Sequence, residues 1–148
     1  MPAQQCRVVL DTNQIVTAGS KWVTGEVAID ATNISRRILI CVACSHIGLY
    51  SGKIIGEYLE KLVDMGHPPE RAQKLVTLIM GAFSTVKIST KTAPIRPRDL
   101  DDEVFLLCAI DGNADYLVSD DSDLLVLAPD YPNPVIGKSH ELAMVLGA

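Results

Sequence analysis

The hydrophobic positions of the chain fall into short β-branched runs and longer segments with helical spacing. Cys6–Leu10 is a short apolar run that ends at Asp11, and Tyr116–Ser119 is a similar run followed directly by acidic residues. Apolar runs of this length, bounded by polar residues, predict buried strands. Shorter runs predict three further strands, at 49–51, 85–89 and 134–137.

Apolar residues at intervals of three and four predict helices between these strands. Asn33 is the expected N-cap of the first, which runs to about Gly48, and Ser139 is the expected N-cap of the last. The stretch from Thr12 to Thr32 is polar and predicted to be irregular. The predicted helices cover residues 33–48, 52–66, 68–84, 99–113, 122–128 and 139–147.

Strands that alternate with helices predict an α/β fold with a parallel sheet covered on both faces. With 148 residues, the chain is expected to form one domain, residues 1–148. In such sheets ligands bind beyond the carboxyl ends of the strands. Asp11 and the acidic group Asp120–Asp123 both follow predicted strands, so the site is expected there.

The net charge of −5 and a pI near 5.0 argue against nucleic-acid binding through a generally basic surface. They leave open a local acidic pocket that metal ions neutralise. The N-terminal residues show no signal-peptide pattern, and no apolar run is long enough to span a membrane. Cys41 and Cys44 form a C-x-x-C inside an apolar run, which we interpret as two buried helix residues rather than a redox pair or half a zinc site. Together these features predict a reducing, cytoplasmic location.

Acidic side chains gathered at one sheet edge suit Mg²⁺, which prefers oxygen ligands. Each acid also has a structural alternative, because Asp at a turn or in the first turn of a helix is favoured by capping and by the helix dipole. Helical periodicity does not select Glu57 over Glu60 as a site residue. What favours a site is the coincidence of acids at one edge, and their mutual repulsion predicts a raised carboxyl pKa.

Three segments of the sequence combine acidic residues with apolar runs: VVLDTN, IIGEYLEKL and DLDDEVFLLCAIDGNADYLVSDDSDLL. Together they resemble the PIN domain family, and within it the VapC-like toxins of toxin–antitoxin pairs. The resemblance covers roughly Arg7 to Leu146, and the last of the three segments is its most specific part.

The resemblance implies a three-layer α/β/α sandwich with a central parallel sheet and a metal-dependent endoribonuclease. Cleavage of single-stranded or structured RNA by a two-metal type of phosphodiester hydrolysis is expected, with Mg²⁺ or Mn²⁺ as cofactor, leaving 5′-phosphate and 3′-hydroxyl ends. The implied metal ligands are Asp11, Asp102 and Asp121. The implied catalytic acids are these three with Glu57 and Asp123, supported by Asn13 and Ser119.

The chain departs from the family pattern at several positions. Asp120 stands where Gly is usual, and Ser122 stands where Lys or Arg is usual. Glu103 adjoins Asp102, so a shift of one residue in the alignment with the family motif would exchange these two acids. The polar stretch 17–32 is longer than the usual loop and is expected to be a lid, a partner surface or an insertion. The resemblance also implies RNA as substrate, a protein antitoxin as partner and a homodimer.

Three other functions compete with the ribonuclease. A haloacid-dehalogenase-like phosphatase would need a second Asp where Asn13 stands, and a two-component receiver would need an acidic pair and a late Lys that are not evident. A PIN-fold binding module without catalysis is favoured by Asp120 and Ser122. Loss of RNA cleavage in Asp11→Asn and Asp121→Asn would separate this module from the enzyme.

Overall fold

Five parallel strands form the centre of the computed structural model, which describes residues 4–19 and 33–148. Their order in the sheet is β3-β2-β1-β4-β5. Val8 pairs with Gly48 on one side of β1, and Val9 pairs with Leu117 on the other. The strands are β1 (Arg7–Leu10), β2 (Ile47–Tyr50), β3 (Ser84–Thr85), β4 (Tyr116–Val118) and β5 (Val135–Gly137).

Helices flank this sheet on both sides in a three-layer α/β/α arrangement, which confirms the predicted fold class. A short 3-10 helix, Leu100–Asp102, precedes α5, and another, Ala128–Asp130, follows α6. Within the described ranges the α-helices are α1 (Thr12–Gly19), α2 (Ile34–Ser45), α3 (Gly52–Asp64), α4 (Pro69–Ala82), α5 (Glu103–Asp111), α6 (Ser122–Leu125) and α7 (Ser139–Leu146).

The two central strands form the middle of the hydrophobic core. Val8, Val9 and Leu10 of β1 are fully buried, as are Leu117 and Val118 of β4. This explains why both segments read as continuous apolar runs rather than alternating ones. Because the buried strands end at Asp11 and Ser119, polar side chains appear at one edge of the sheet.

The prediction for Thr12–Thr32 is wrong in its first part, because Thr12–Gly19 forms α1. The Asp11 carboxylate accepts a hydrogen bond from the backbone N–H of Gln14 (3.1 Å) and thereby caps this helix. Ile15 and Ala18 are fully buried, so packing compensates for residues of modest helix propensity. Residues 20–32, most of the stretch predicted to be a lid or insertion, lie outside the described residues.

The predicted helix ending near Gly48 stops at Ser45, and Gly48 lies in β2. Asn33 caps it as predicted, accepting a hydrogen bond from the backbone N–H of Arg36. A Cβ atom at Gly48 would lie 2.4 Å from the ring of Phe83. The glycine is therefore needed for the close approach of Phe83 to the sheet.

Strand β3 is shorter than the predicted 85–89. The Asp111 carboxylate accepts hydrogen bonds from the backbone N–H groups of Ser89 (2.7 Å) and Thr90 (2.9 Å). This anchoring at the end of α5 draws the chain away from the sheet after Thr85.

Two further local predictions are wrong. Ser139 is not the N-cap of α7 but its first residue, and no side chain of that helix caps it. Cys44 is exposed and Cys41 only partly buried, so the C-x-x-C does not lie in the core. Both are free thiols. Among the described residues, no helix is long and apolar enough to cross a membrane.

Candidate active site

A cavity of about 180 Å³ opens beyond the carboxyl ends of β1 and β4. Six carboxylates and one cation, Lys61, contribute to its lining. This is the edge at which the sequence predicted a site. The lining consists of Asp11, Thr12, Asn13, Glu57, Lys61, Asp99, Asp101, Asp102, Phe105 and Asp121.

Ser119 joins the ends of the two central strands. Its hydroxyl donates a short hydrogen bond to the carboxylate of Asp11 and accepts one from the backbone N–H of Asp121 (3.0 Å). Asp11 is 3% exposed and Ser119 fully buried. The pair therefore fixes the position of Asp121 relative to the first strand.

Among the described residues, three carboxylates lie close enough together to hold one metal ion. Asp102, Asp121 and Asp123 each place one oxygen so that all three atoms lie within 4.8 Å of one another. Oδ2 of Asp102 is buried and has no hydrogen-bond partner among the described residues. Asp11 lines the same cavity but is not one of this trio. Its two oxygens accept hydrogen bonds from Ser119 and Gln14.

Burial and like charge disfavour ionisation of two of these acids. Burial, with the charges of Asp121 and Asp99, raises the pKa of Asp102 to about 7. Burial also raises the pKa of Asp11 to about 6, although hydrogen bonds from Ser119 and Gln14 oppose this. The predicted rise in a carboxyl pKa is confirmed, with burial as its largest cause and repulsion as an addition.

Asp102 and its neighbour Glu103 lie in different surroundings. Glu103 accepts two hydrogen bonds from the guanidinium of Arg96 (2.7 and 3.0 Å) and a third from the backbone N–H of Ala93 (3.2 Å). It therefore anchors the connector before α5, whereas Asp102 lines the cavity. Of the two, Asp102 is the acid that the fold brings to the site.

Helix α3 turns Glu57 rather than Glu60 towards the cavity. Its buried face is set by Ile54, Tyr58 and Leu62, and the Tyr58 hydroxyl donates a 2.5 Å hydrogen bond to the carbonyl of Leu10. Burial, with the charges of Asp101 and Glu60, raises the pKa of Glu57. Lys61, one turn further on, lies beside Glu57 and also lines the cavity.

Asp120 does not line the acidic cavity. Its carboxylate accepts hydrogen bonds from the backbone N–H (2.9 Å) and hydroxyl (2.7 Å) of Ser139 and from the side chain of Gln14 (2.9 Å). Burial would raise its pKa, but these hydrogen bonds outweigh it and lower the pKa below the usual value. Asp120 thus caps α7 from a distant part of the chain, so the extra charge predicted for the pocket rim points away from the cavity.

The capping alternatives are also correct for some of these acids. Asp99 accepts a hydrogen bond from the backbone N–H of Asp101 (3.0 Å), and Asp121 accepts one from that of Asp123 (2.9 Å). Asp121 is therefore both the N-cap of α6 and a member of the carboxylate trio. Capping and a role in the site do not exclude each other.

Residues 7–123 match the family model described as PIN domain. The chain belongs to the PIN domain family. Members of this family are generally nucleases. The fold of this PIN domain is similar to that in the crystal structure of VapBC2 from Rickettsia felis bound to a DNA fragment from their promoter. The TM-score is 0.57 at 18% identity, over 89% of this chain and 98% of that chain. No curated protein matches the sequence significantly.

The acidic site of this PIN domain fits a divalent cation. The trio of Asp102, Asp121 and Asp123 offers hard oxygen donors, which Mg²⁺ and Mn²⁺ prefer. Oδ2 of Asp102 is buried and no described residue donates a hydrogen bond to it, so without a cation it would carry the full cost of its desolvation. The donor set and this orphaned oxygen both favour a bound cation.

Sequence reasoning did not single out four of the polar groups that line the cavity. Lys61 could have been found from its position four residues after Glu57, and Asp99 and Asp101 from the acidic run before α5. Nothing in the sequence points to the hydroxyl of Thr12. It is buried, lines the cavity and has no hydrogen-bond partner among the described residues.

Proposed function

We propose that the protein is a Mg²⁺- or Mn²⁺-dependent endoribonuclease. The observation that carries this proposal is the trio of Asp102, Asp121 and Asp123, with oxygens within 4.8 Å of one another, at the carboxyl edge of a PIN-domain sheet. The buried Oδ2 of Asp102, which has no hydrogen-bond partner in residues 4–19 and 33–148, supports it. A cluster of this kind in an acidic protein allows a polyanion to bind locally, through metal.

Asp102 and Asp121 are the acids shared by the trio and by the ligand set implied from the sequence. We propose Asp123 as the third direct ligand, and Asp11 as a ligand that also orients the site through Ser119. A divalent cation bound there would stabilise negative charge at the scissile phosphate and make a coordinated water more acidic. The chain supplies the rigid positions of the oxygens, because Leu10 and Val118, the last residues of the two central strands, are fully buried.

Glu57 and Lys61 have complementary roles in this proposal. Glu57 lines the cavity, and its raised pKa makes its carboxylate a stronger base than that of an ordinary glutamate, so we assign it the role of proton acceptor. Lys61 is the one cation in the cavity lining and has no ion pair within the described part of the chain. We assign it to a phosphate oxygen of the substrate, where it supplies the positive charge that Ser122 lacks.

Our proposal for the substrate class, partners and location is supported by membership of the same family. RNA in single-stranded or structured form is the proposed substrate, and the protein acts as the toxin of a toxin–antitoxin pair in the cytoplasm. The structurally similar VapBC2 assembly supports a protein antitoxin as partner. A homodimer is part of the same proposal.

Asp120 and Asp121 offer a matched pair of variants for testing this function. Both Asp120→Asn and Asp121→Asn remove one negative charge from adjacent positions, but only Asp121 lines the cavity. RNA cleavage with Mn²⁺ is expected to fall at least 100-fold in Asp121→Asn and to persist in Asp120→Asn. Equal cleavage by wild type and Asp121→Asn would contradict the proposed function. The reverse ranking would show that the motif register is off by one.

The catalytically inactive binding module makes a different prediction in the same experiment. Wild-type protein that binds Mn²⁺ but cleaves no RNA, with Asp121→Asn still folded, would favour the module. Circular dichroism of both variants serves as the folding control.

A further inference from the structure

A second cavity, larger than the acidic one, lies at the start of α3 and also borders α5. Its volume is about 520 Å³. Its walls come from the start of α3, from the segment after β3 and from α5. The lining residues are Ser51, Gly52, Lys53, Val86, Ile88, Thr90, Lys91, Val104 and Leu107.

The lining combines an aliphatic wall with positive charge. Val86, Ile88, Val104 and Leu107 provide the wall, while two exposed lysines stand at the rim (Lys53 and Lys91). Neither lysine has an ion pair among the described residues. In a protein of net charge −5, such a place selects a ligand with an apolar face and an anionic group.

The outer wall of this cavity is held in position. Asp111 binds the backbone N–H groups of Ser89 (2.7 Å) and Thr90 (2.9 Å) and also the hydroxyl of Thr90 (2.5 Å). These hydrogen bonds lower the pKa of Asp111, so its charged form holds the segment at neutral pH. A preformed wall reduces the entropy lost on binding.

The two cavities lie along the same two helices. Lys53 lines the second cavity and Glu57 the acidic one, and they are one turn apart on α3, roughly 6 Å along the axis. On α5, Val104 and Phe105 are adjacent and line one cavity each. A strand of nucleic acid that leaves the acidic cavity towards the start of α3 would meet the second one.

We propose that the second cavity is a subsite for a nucleotide flanking the scissile bond of an RNA strand. The base packs against the aliphatic wall, and Lys53 and Lys91 bind the adjoining phosphates. This inference rests on the proposed endoribonuclease function, and it adds a source of substrate preference outside the carboxylate site. Phosphate contacts of this kind position a strand, and the contact to the base discriminates.

The test measures binding of a fluorescent single-stranded oligoribonucleotide by anisotropy. Every protein carries Asp121→Asn, so that the RNA remains intact. Adding Lys53→Ala and Lys91→Ala together is expected to weaken binding roughly tenfold. It should also reduce the slope of log affinity against log salt by about 1.4, since each phosphate contact contributes about 0.7 in single strands.

Lys87→Ala is the matched control. Lys87 lies in the same segment as Val86 and Ile88 but is exposed and does not line the cavity. Lys87→Ala removes one positive charge, as Lys91→Ala does when it is made alone, and the affinity of Lys87→Ala for RNA is expected to stay within twofold of the parent. An equal loss of affinity in the single variants Lys87→Ala and Lys91→Ala would show an effect of general charge and overturn the proposal.

The base contact is tested on the RNA, which avoids any effect on protein folding. An abasic nucleotide is placed at each position of the oligoribonucleotide in turn. At one position flanking the scissile bond, it is expected to weaken binding to the parent protein but not binding to the double lysine variant. If no position does so, the subsite is wrong. If binding of an acidic peptide that carries a leucine side chain depends on the two lysines and binding of RNA does not, the cavity binds a protein partner instead.

The subsite and the proposed function can fail separately. If RNA binding depends on Lys53 and Lys91 but the protein with the wild-type Asp121 cleaves no RNA, the subsite is upheld and the ribonuclease function is contradicted. If RNA cleavage depends on metal but RNA binding does not change when both lysines are replaced, the ribonuclease function is upheld and the subsite is contradicted.

Discussion

The hydroxyl of Ser119 donates a short hydrogen bond to the carboxylate of Asp11 at the end of the two central strands. Both residues are buried, and Ser119 also accepts a hydrogen bond from the backbone N–H of Asp121 (3.0 Å). The contact thus connects the end of β1, where Asp11 is a single acid, to the segment after β4, which carries the three acids Asp120, Asp121 and Asp123.

Ser119→Ala is expected to destabilise the protein and disturb the site together. The free energy of unfolding should fall by about 1–3 kcal/mol, because a buried carboxylate loses a hydrogen-bond donor. The pKa of Asp11 should rise further from about 6, shifting the pH profile of RNA cleavage to higher pH. Denaturant unfolding and the pH profile measure the two effects. Unchanged stability with an unchanged profile would show that the hydrogen bond carries neither role.

The metal-free protein should lose stability as the pH rises through 6 and 7. The pKa values of Asp11 and Asp102 are raised to about 6 and about 7, above the value near 4 expected in the unfolded chain. The folded state therefore binds more protons between about pH 4 and pH 7. This contribution is fully present below pH 4 and is lost as the pH rises through the folded-state pKa values.

Asp102→Asn isolates that contribution. In EDTA the variant should melt at a higher temperature than wild type at pH 8, because it removes a buried and repelled charge, while losing Mn²⁺ binding and RNA cleavage. Glu103→Gln is the neighbouring control and should melt lower, since Glu103 holds Arg96 and Ala93. Melting curves of the two variants and the wild type at pH 5 and pH 8 test these expectations. A higher melting temperature of the wild type in EDTA at pH 8 than at pH 5 would contradict the destabilisation by Asp11 and Asp102.

Asp120 is expected to matter for stability rather than for catalysis. Asp120→Gly removes the acceptor that caps α7 through Ser139, which should cost about 1–2 kcal/mol, typical of a lost helix cap. RNA cleavage by the folded variant should stay close to wild type. A loss of cleavage at a temperature where circular dichroism shows native structure would place Asp120 in the site.

Lys61→Ala should have opposite effects on substrate and metal. Removing the one cation of the cavity lining is expected to raise KM for RNA about fivefold and to tighten Mn²⁺ binding about twofold, because the lysine repels the ion. Lys61→Arg should restore the KM. Lys74→Ala, an exposed lysine of α4, is the control and should change neither constant. Weaker binding of both RNA and metal would indicate a structural role for Lys61.

The sheet and the location of the site were predictable because they depend on local patterns. Buried apolar runs that end at Asp11 and Ser119 indicate both the strands and the edge at which acids gather. Helix α1 was missed because Thr12, Val16 and Thr17 are β-branched, and its stability comes from the Asp11 cap and from packing of Ile15.

The parts of the site that sequence reasoning missed depend on long-range contacts. Asp120 caps a helix that begins nineteen residues later, whereas local reasoning assigned that cap to Ser139. The choice between Asp102 and Glu103 depends on Arg96, which draws the glutamate away from the cavity. Periodicity could not choose Glu57, since the orientation of α3 follows from the buried contacts of Tyr58 and Leu62.

The most direct test of the account is the rate of single-stranded RNA cleavage by the wild-type protein as metal is removed and returned. Cleavage is expected to stop in excess EDTA, to resume when Mn²⁺ or Mg²⁺ exceeds the chelator, and to yield 5′-phosphate ends. Equal cleavage of the RNA with and without the chelator would contradict a metal site built from Asp102, Asp121 and Asp123.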